Sequence, residues 1–329
     1  MKELIIKKNE ENQRFDKYLK KLLPNATTSF LYKMIRKKNI CINGKKASGN
    51  EILHTGDKVS IFFSDETFEK FAGNVSEQSD EFDRLAALSL GGIEIVYEDN
   101  DILIANKPFN MLSQKANAED ISANEHLLGY LIKTGKLTRE DFATFRPSVC
   151  NRLDRNTTGL LLMGVSLKGT QELSRMLKER TIQKYYLAVV AGEVKQGQHL
   201  KGFLIKDTNT NHVTVSPQIP KNAAGEEMEA KLIETSFEPM VYDNGATLLK
   251  VHLITGKTHQ IRAHLASIGH PIIGDPKYGD ISINQSFRQK YNIKAQLLHA
   301  FRLEFPDGRV YEAPVPSAFQ KISRKFCLY

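Results

Sequence analysis

The stretch Cys-Asn-Arg-Leu-Asp-Arg-Asn-Thr-Thr-Gly-Leu-Leu-Leu-Met, residues 150–163, sets one carboxylate, Asp154, between Arg152 and Arg155. A Thr-Thr-Gly turn follows, and the apolar run Gly159–Met163 reads as a buried strand. An Asp between two guanidinium groups, at a turn beside such a strand, can stay ionised while shielded from water. Nearby positive charge offsets the cost of desolvation. That suits a carboxylate nucleophile and equally suits a structural salt bridge, since ion-pair networks build the same surroundings.

Working outward, the 329-residue chain has room for about two domains, and at 41% hydrophobic residues it can bury a large core. No apolar run approaches the ~18 residues of a membrane span. The first ten residues, from Met1 to Glu10, are too charged for a signal peptide. Three cysteines, Cys41, Cys150 and Cys327, lie far apart with no C-x-x-C pair. This argues against a zinc site or a disulfide framework and agrees with a reducing cytoplasm.

The net charge of +8 is unevenly placed. Residues 1–60 hold 14 Lys and Arg against 6 Asp and Glu, whereas residues 64–84 hold 2 against 7. A basic N-terminal module, an acidic spacer and a mildly basic remainder suit a polyanionic partner, or else a solvated lysine-rich surface. In the module, Phe15, Tyr18, Leu19 and Leu22 share one helical face, and Pro24 ends that helix. A second helix is expected from Thr28 to Lys38. Leu31, Met34 and Ile35 form its apolar stripe, and Lys33, Arg36 and Lys37 lie together on another face. Strand 40–42, an Asn43-Gly44 type I′ turn and Lys45-Lys46 make a hairpin, and a strand follows over 58–63.

Here the chain resembles the S4 RNA-binding domain. The likeness rests on Arg14-Phe15-Asp16-x-x-Leu19, Ile35-Arg36-x-x-x-Ile40-x-Ile42-Asn43-Gly44-Lys45 and Gly56-Asp57-x-Val59. It implies RNA binding by Lys33, Arg36, Lys37 and Lys45 in a domain spanning residues 1–63. Residues 64–92 read as an acidic linker, flexible or partly helical.

Residues 93–329 make the main domain. Strands are expected at 93–96, 102–105, 184–190, 212–215, 229–235 and 248–254, and helices around 126–134, 171–178 and 258–268. The rest of 115–147 reads as irregular. Tyr186, Ala188 and Val190 share a strand face, which by itself makes Tyr186 a half-buried aromatic. Arg262 lies beside the apolar stripe Ile261, Leu265 and Ile268, able to reach the domain's centre. Gly256-Lys257-Thr258 imitates the end of a phosphate-binding P-loop, but Val251 stands where that motif needs Gly. His259 and His264, five apart on a helix, would point about 140° from each other, which speaks for structural or RNA-facing roles over a metal pair.

The assembled motifs resemble the RluA-type pseudouridine synthases. They are residues 151–162, Lys184-x-Tyr186-x-Ala188, Thr255–Leu265, Gly269-His270-Pro271-Ile272-x-Gly274-Asp275, Asn106-Lys107-Pro108 and Leu298-His299-Ala300. With the S4 module in front, the nearest architecture is that of the C and D types, which act on large-subunit ribosomal RNA. The resemblance implies an α+β fold with a mixed, mostly antiparallel central sheet, flanking helices and a cleft across the sheet. It implies Asp154 as nucleophile, Arg262 as the partner holding its carboxylate, and Tyr186 stacking on the target base. Arg152 would fill the gap left by the flipped uridine, with Arg155, Ile261 and Lys107 also at the substrate.

By analogy the implied RNA is 23S rRNA; no cofactor, metal or membrane is expected, and the chain is expected to be a monomer. A carboxylate can attack C1′ or the base, or assist a glycal route, and the residues leave all three open. Asn151 stands where the family usually has His, Thr158 where Ser is typical, and Lys257 where Arg is common. Three other readings stand beside it: an S4-type assembly protein with an idle catalytic domain, a synthase acting on tRNA, and a glycoside hydrolase. The last needs two carboxylates about one bond, and the Asp154 stretch offers one.

Overall fold

The computed structural model describes residues 1–72, 75–207, 210, 212–221 and 226–327, excluding the side chains of 75–79 and of Cys327. The chain begins with β1 (Lys2–Ile5), α1 (Phe15–Leu22), α2 (Thr28–Arg36), β2 (Ile40–Ile42), β3 (Lys45–Lys46) and β4 (Lys58–Ile61). These strands form an antiparallel sheet in the order β1-β4-β2-β3. Phe15, Tyr18 and Leu19 of α1 and Leu31 and Ile35 of α2 bury their apolar faces on it. The Thr27 hydroxyl caps α2 by accepting the Phe30 N–H at 3.3 Å. Asn43 and Gly44 both have positive φ, 50° and 70°, as a type I′ turn requires. Strand β1 adds an edge that the hydropathy pattern did not single out.

The acidic segment takes the helical of the two expected forms. It forms α3 (Asp65–Ala72) and α4 (Val75–Ala87). Phe68 and Phe71 of α3 pack on the first core, while Phe82 and Leu85 of α4 enter the second. Its carboxylates also have partners: Asp83 meets Arg139 at 2.5 Å and Glu81 meets Arg146 at 2.8 Å. Residues 73–74 of that segment lie outside the described set.

The remainder contains β5 (Glu94–Glu98), β6 (Ile102–Lys107), α5 (Ala123–Lys133), α6 (Arg139–Thr144), β7 (Ser148–Val149), β8 (Thr158–Gly164), α7 (Leu167–Glu179), β9 (Gln183–Ala191) and β10 (Gln198–Lys206). Then come β11 (Val213–Ser216), β12 (Ala230–Asp243), β13 (Ala246–Leu253), α8 (Gln260–Ser267), α9 (Ile281–Tyr291), β14 (Leu298–Glu304), β15 (Val310–Glu312) and α10 (Ser317–Gln320). One large sheet runs β11-β10-β12-β13-β9-β14-β8-β6-β5, with β15 on β14 and β7 on β8. Among its described pairings β14–β8 is parallel and the others are antiparallel, the mixed sheet expected.

Helices cover both faces of the central strands. Tyr186, Ala188 and Val190 face one core with α5 and α8, while Leu187, Val189 and Ala191 face another with α9 and α10. That explains the unbroken apolar run in β8: Leu161 and Met163 enter the first core, and Leu160 and Leu162 pack with Leu173 and Met176 of α7. Gly159 has φ 110°, and a Cβ there would lie 2.2 Å from the Ala300 carbonyl oxygen. A glycine is what lets β8 approach β14 so closely.

Residues 115–147 hold the expected helix, α5, and a second one, α6, in the part read as irregular. A Ser122–Glu125 capping box starts α5 three residues before the expected start. The Thr138 hydroxyl, accepting the Asp141 N–H at 3.2 Å, starts the short α6.

Candidate active site

The loop from β7 to β8 carries Asp154 and is fixed from below. The Ser113 hydroxyl bonds the Leu153 backbone on both sides, donating to its carbonyl and accepting its N–H, each at 2.9 Å. Asn151 reaches β8, donating to the Leu160 carbonyl at 3.2 Å and accepting the Leu162 N–H at 2.7 Å. Both ends of the amide are therefore used. The Thr158 hydroxyl lies 2.8 Å from His299 Nδ1, which a serine hydroxyl at that position could equally approach.

Lys107, expected at the substrate, is fully buried instead. Its ammonium donates to the carbonyls of Pro108, Met111 and Arg155, at 3.1, 2.8 and 3.1 Å. Three converging carbonyls took this lysine off the surface, and it now ties the end of β6 to the Asp154 loop. Burial pulls its pKa down to about 7, against the pull of the Asp154 charge in the other direction.

The second half of the site comes from α8. Gln260 anchors the turn before the helix. Its Oε1 accepts from the Thr255 hydroxyl and the Lys257 N–H, and its Nε2 donates to the Glu234 carbonyl and the Thr235 hydroxyl. Arg262, one turn in, is 5% exposed. It donates from Nε and Nη2 to the two oxygens of Asp275, at 2.6 and 2.8 Å, and from Nη1 to Asp154 Oδ2 at 2.8 Å. Asp275 also accepts the N–H groups of Lys277 and Tyr278. Burial would raise the Asp275 pKa, but the Arg262 bonds and charge outweigh it and hold the carboxylate below its ordinary range.

Asp154 is therefore paired with Arg262, not with its sequence neighbours. Arg152 and Arg155 are both exposed, and neither makes an ion pair with Asp154 among the described residues. Side chains flanking a loop residue need not turn toward it, so adjacency in sequence was the wrong guide.

His259, read as structural or RNA-facing on a helix, lies instead at the helix start beside Asp154. The helix starts after it, and its own φ of 54° places it at the left-handed N-cap rather than on a helix face. Its Nε2 lies 3.9 Å from Asp154 Oδ1, and its Nδ1 lies 2.9 Å from the Tyr278 hydroxyl. That hydroxyl accepts the Val213 N–H at 3.1 Å and keeps its own proton to donate to Nδ1, an arrangement that would put the proton of the neutral ring on Nε2, facing Asp154. Burial lowers the His259 pKa more than Asp154 raises it, favouring that neutral ring. The left-handed backbone that aims it could not be read from hydropathy. His264 lies apart, its Nδ1 3.0 Å from the Thr235 hydroxyl. Among the described residues, no group of three or more His, Cys, Asp or Glu is arranged to hold a metal ion.

These pieces meet in a cleft of about 1210 Å³, lined by Asp154, Tyr186, Arg262, Arg152, Arg155 and Ile261. Six of the seven expected catalytic and substrate residues are thus brought together, Lys107 being the exception. Asp154 is the one carboxylate among the described lining residues, whereas Lys115, Lys178, Arg180, Lys184 and Lys257 add positive charge. Burial, followed by the Asp154 charge, pushes the Tyr186 pKa up, so its hydroxyl keeps its proton. Lys33, Arg36, Lys37 and Lys45 do not line the cleft; all four are exposed, and none makes an ion pair among the described residues.

The sequence matches the model of the RNA pseudouridylate synthase family over residues 101–267 and that of the S4 domain over 13–59. The chain belongs to the RNA pseudouridylate synthase family. It is 30% identical to ribosomal large subunit pseudouridine synthase C of Salmonella typhimurium, over 98% of this chain and 95% of that protein. It is 28% identical to ribosomal large subunit pseudouridine synthase D of Nitrosomonas europaea, over 95% and 84%. A human structure, RNA pseudouridylate synthase domain containing 4, shares the fold with a TM-score of 0.56 and 18% identity, over 76% of this chain and 97% of that one.

Proposed function

We propose that this protein isomerises uridine to pseudouridine in 23S ribosomal RNA, with Asp154 as nucleophile. The observation that carries the reading is the Asp154 carboxylate held at 2.8 Å by Arg262 in a cationic cleft. The similarity to synthases C and D supports the choice of RNA.

The reaction breaks the N1–C1′ bond, turns the base and joins C5 to C1′, with C5 losing a proton and N1 gaining one. No electron or group leaves the substrate, so the side chains must position and stabilise. The uridine leaves its stack at a cost of about a few kcal/mol. In this reading Arg152 fills the space it vacates, Tyr186 stacks on the flipped base, and Arg155 and Ile261 border it. Arg262 keeps the attacking carboxylate ionised and aimed. Residues 1–63 dock the RNA through Lys33, Arg36, Lys37 and Lys45, residues 64–92 connect, and residues 93–329 perform the chemistry. The protein works in the cytoplasm as a monomer. No helix among the described residues is long and apolar enough to cross a membrane.

Carbodiimide primer-extension mapping of ribosomal RNA from cells lacking the gene tests this reading. Specific 23S stops should vanish and return with the wild-type gene. Unchanged 23S stops with altered transfer RNA would move the substrate, and no change in either RNA would contradict the activity.

A further inference from the structure

In the Lys-x-Tyr pair of β9 the proposed chemistry uses Tyr186 and leaves Lys184 without a task. Two residues apart on a strand, the two side chains share a face, and both line the cleft. Lys184 is 8% exposed. No carboxylate or carbonyl among the described residues bonds its ammonium. Burial and then the repulsion of Arg180 push its pKa below the ordinary lysine value.

An ammonium buried beside another cation, with no counter-ion, is costly to keep. Lysines are almost never fully buried unless paired. A negatively charged ligand at this wall removes the cost. Arg180 follows α7 in a left-handed conformation, φ 59°, and its exposed side chain reaches the same cleft. A compact ammonium and a forked guanidinium together suit a phosphate.

We propose that Lys184 and Arg180 form a seat for an internucleotide phosphate of the RNA strand that carries the target uridine. The seat grips the backbone on the wall from which Tyr186 meets the base, so the two together fix where the flipped nucleotide stops. This rests on the RNA-synthase reading.

The test uses the full-length protein and full-length 23S rRNA transcribed in vitro. Affinity is measured across a KCl series for wild type, Lys184→Met, Lys184→Arg and Arg180→Met, beside single-turnover pseudouridine formation. Losing one phosphate contact should reduce the slope of log affinity against log salt by about 0.7–0.9 in Lys184→Met and in Arg180→Met. Lys184→Met should also bind about tenfold more weakly at low salt, while Lys184→Arg keeps the wild-type slope. Arg180→Met changes an exposed side chain and reads the seat even if Lys184→Met folds poorly. If wild type binds and isomerises this RNA and neither methionine variant changes the slope, the phosphate seat is overturned. If wild type itself forms no pseudouridine, the functional reading fails and the seat with it.

Discussion

Arg262 stands between two carboxylates, bonded at 2.6 and 2.8 Å to Asp275 and at 2.8 Å to Asp154. The two acids are unequal. The Asp275 side chain has no exposed surface, whereas that of Asp154 is 26% exposed and faces the cleft. Asp275 uses both oxygens to fix the guanidinium plane, which leaves Nη1 to hold the reactive group.

Asp275→Asn should therefore impair chemistry from a position that touches no substrate. Loss of the buried partner charge is expected to cost about 3 kcal/mol of stability. A swung guanidinium should lower the single-turnover rate by about 10²-fold while RNA affinity stays within a factor of about two. Denaturant unfolding and rate measurements at saturating RNA check the two parts separately. An unaltered rate would show that Asp154 is aimed without this clamp.

A Tyr278 hydroxyl that donates to Nδ1 would place the His259 proton on Nε2. Tyr278→Phe removes that instruction, and the ring should become a mixture of the two neutral tautomers. Nitrogen-15 correlation spectra of the imidazole report this directly. The wild type is expected as the Nε2–H form, and a persistent single tautomer in Tyr278→Phe would contradict the role given to the hydroxyl.

Much of this site was readable from motif order, and the misreadings have physical causes. Asp154 and Arg262 stood out because a lone carboxylate beside an apolar strand and a cation on an apolar helix face are local patterns. The Arg262–Asp275 pair is not local. It closes across 13 residues, and periodicity says nothing about which acid a buried guanidinium meets. Lys107 looked like a substrate cation because three converging carbonyls leave no trace in composition. Similarly, β8 announced itself by a run that is buried on both faces, while α6, with 6 residues, is too short to show a helical period. The acidity of α4 follows from its partners Arg139 and Arg146, which lie more than 50 residues away in the chain.

Two buried histidines outside the chemistry make the fold acid-sensitive. Burial holds both His264 and His299 down to about 4, against 6.5 when free. Between pH 6.5 and 4 the unfolded chain binds protons that the folded chain refuses, so stability falls as pH falls through that window and is full above it. Each contributes about 3 kcal/mol. Urea unfolding from pH 7 to pH 4 should show this loss, and His299→Gln should flatten it in part. A pH-independent midpoint in wild type would contradict the neutral burial of both rings.

The most direct test of the central claim is the rate of pseudouridine formation by Asp154→Asn in a single turnover on unmodified 23S rRNA. Asparagine keeps the shape of the side chain, and Arg262 retains Asp275. The fold and RNA affinity should therefore persist while the rate falls by about 10⁴-fold or more. A variant that binds the RNA as wild type does and forms no pseudouridine is the predicted result. Formation at a rate within about tenfold of wild type would contradict Asp154 as the nucleophile.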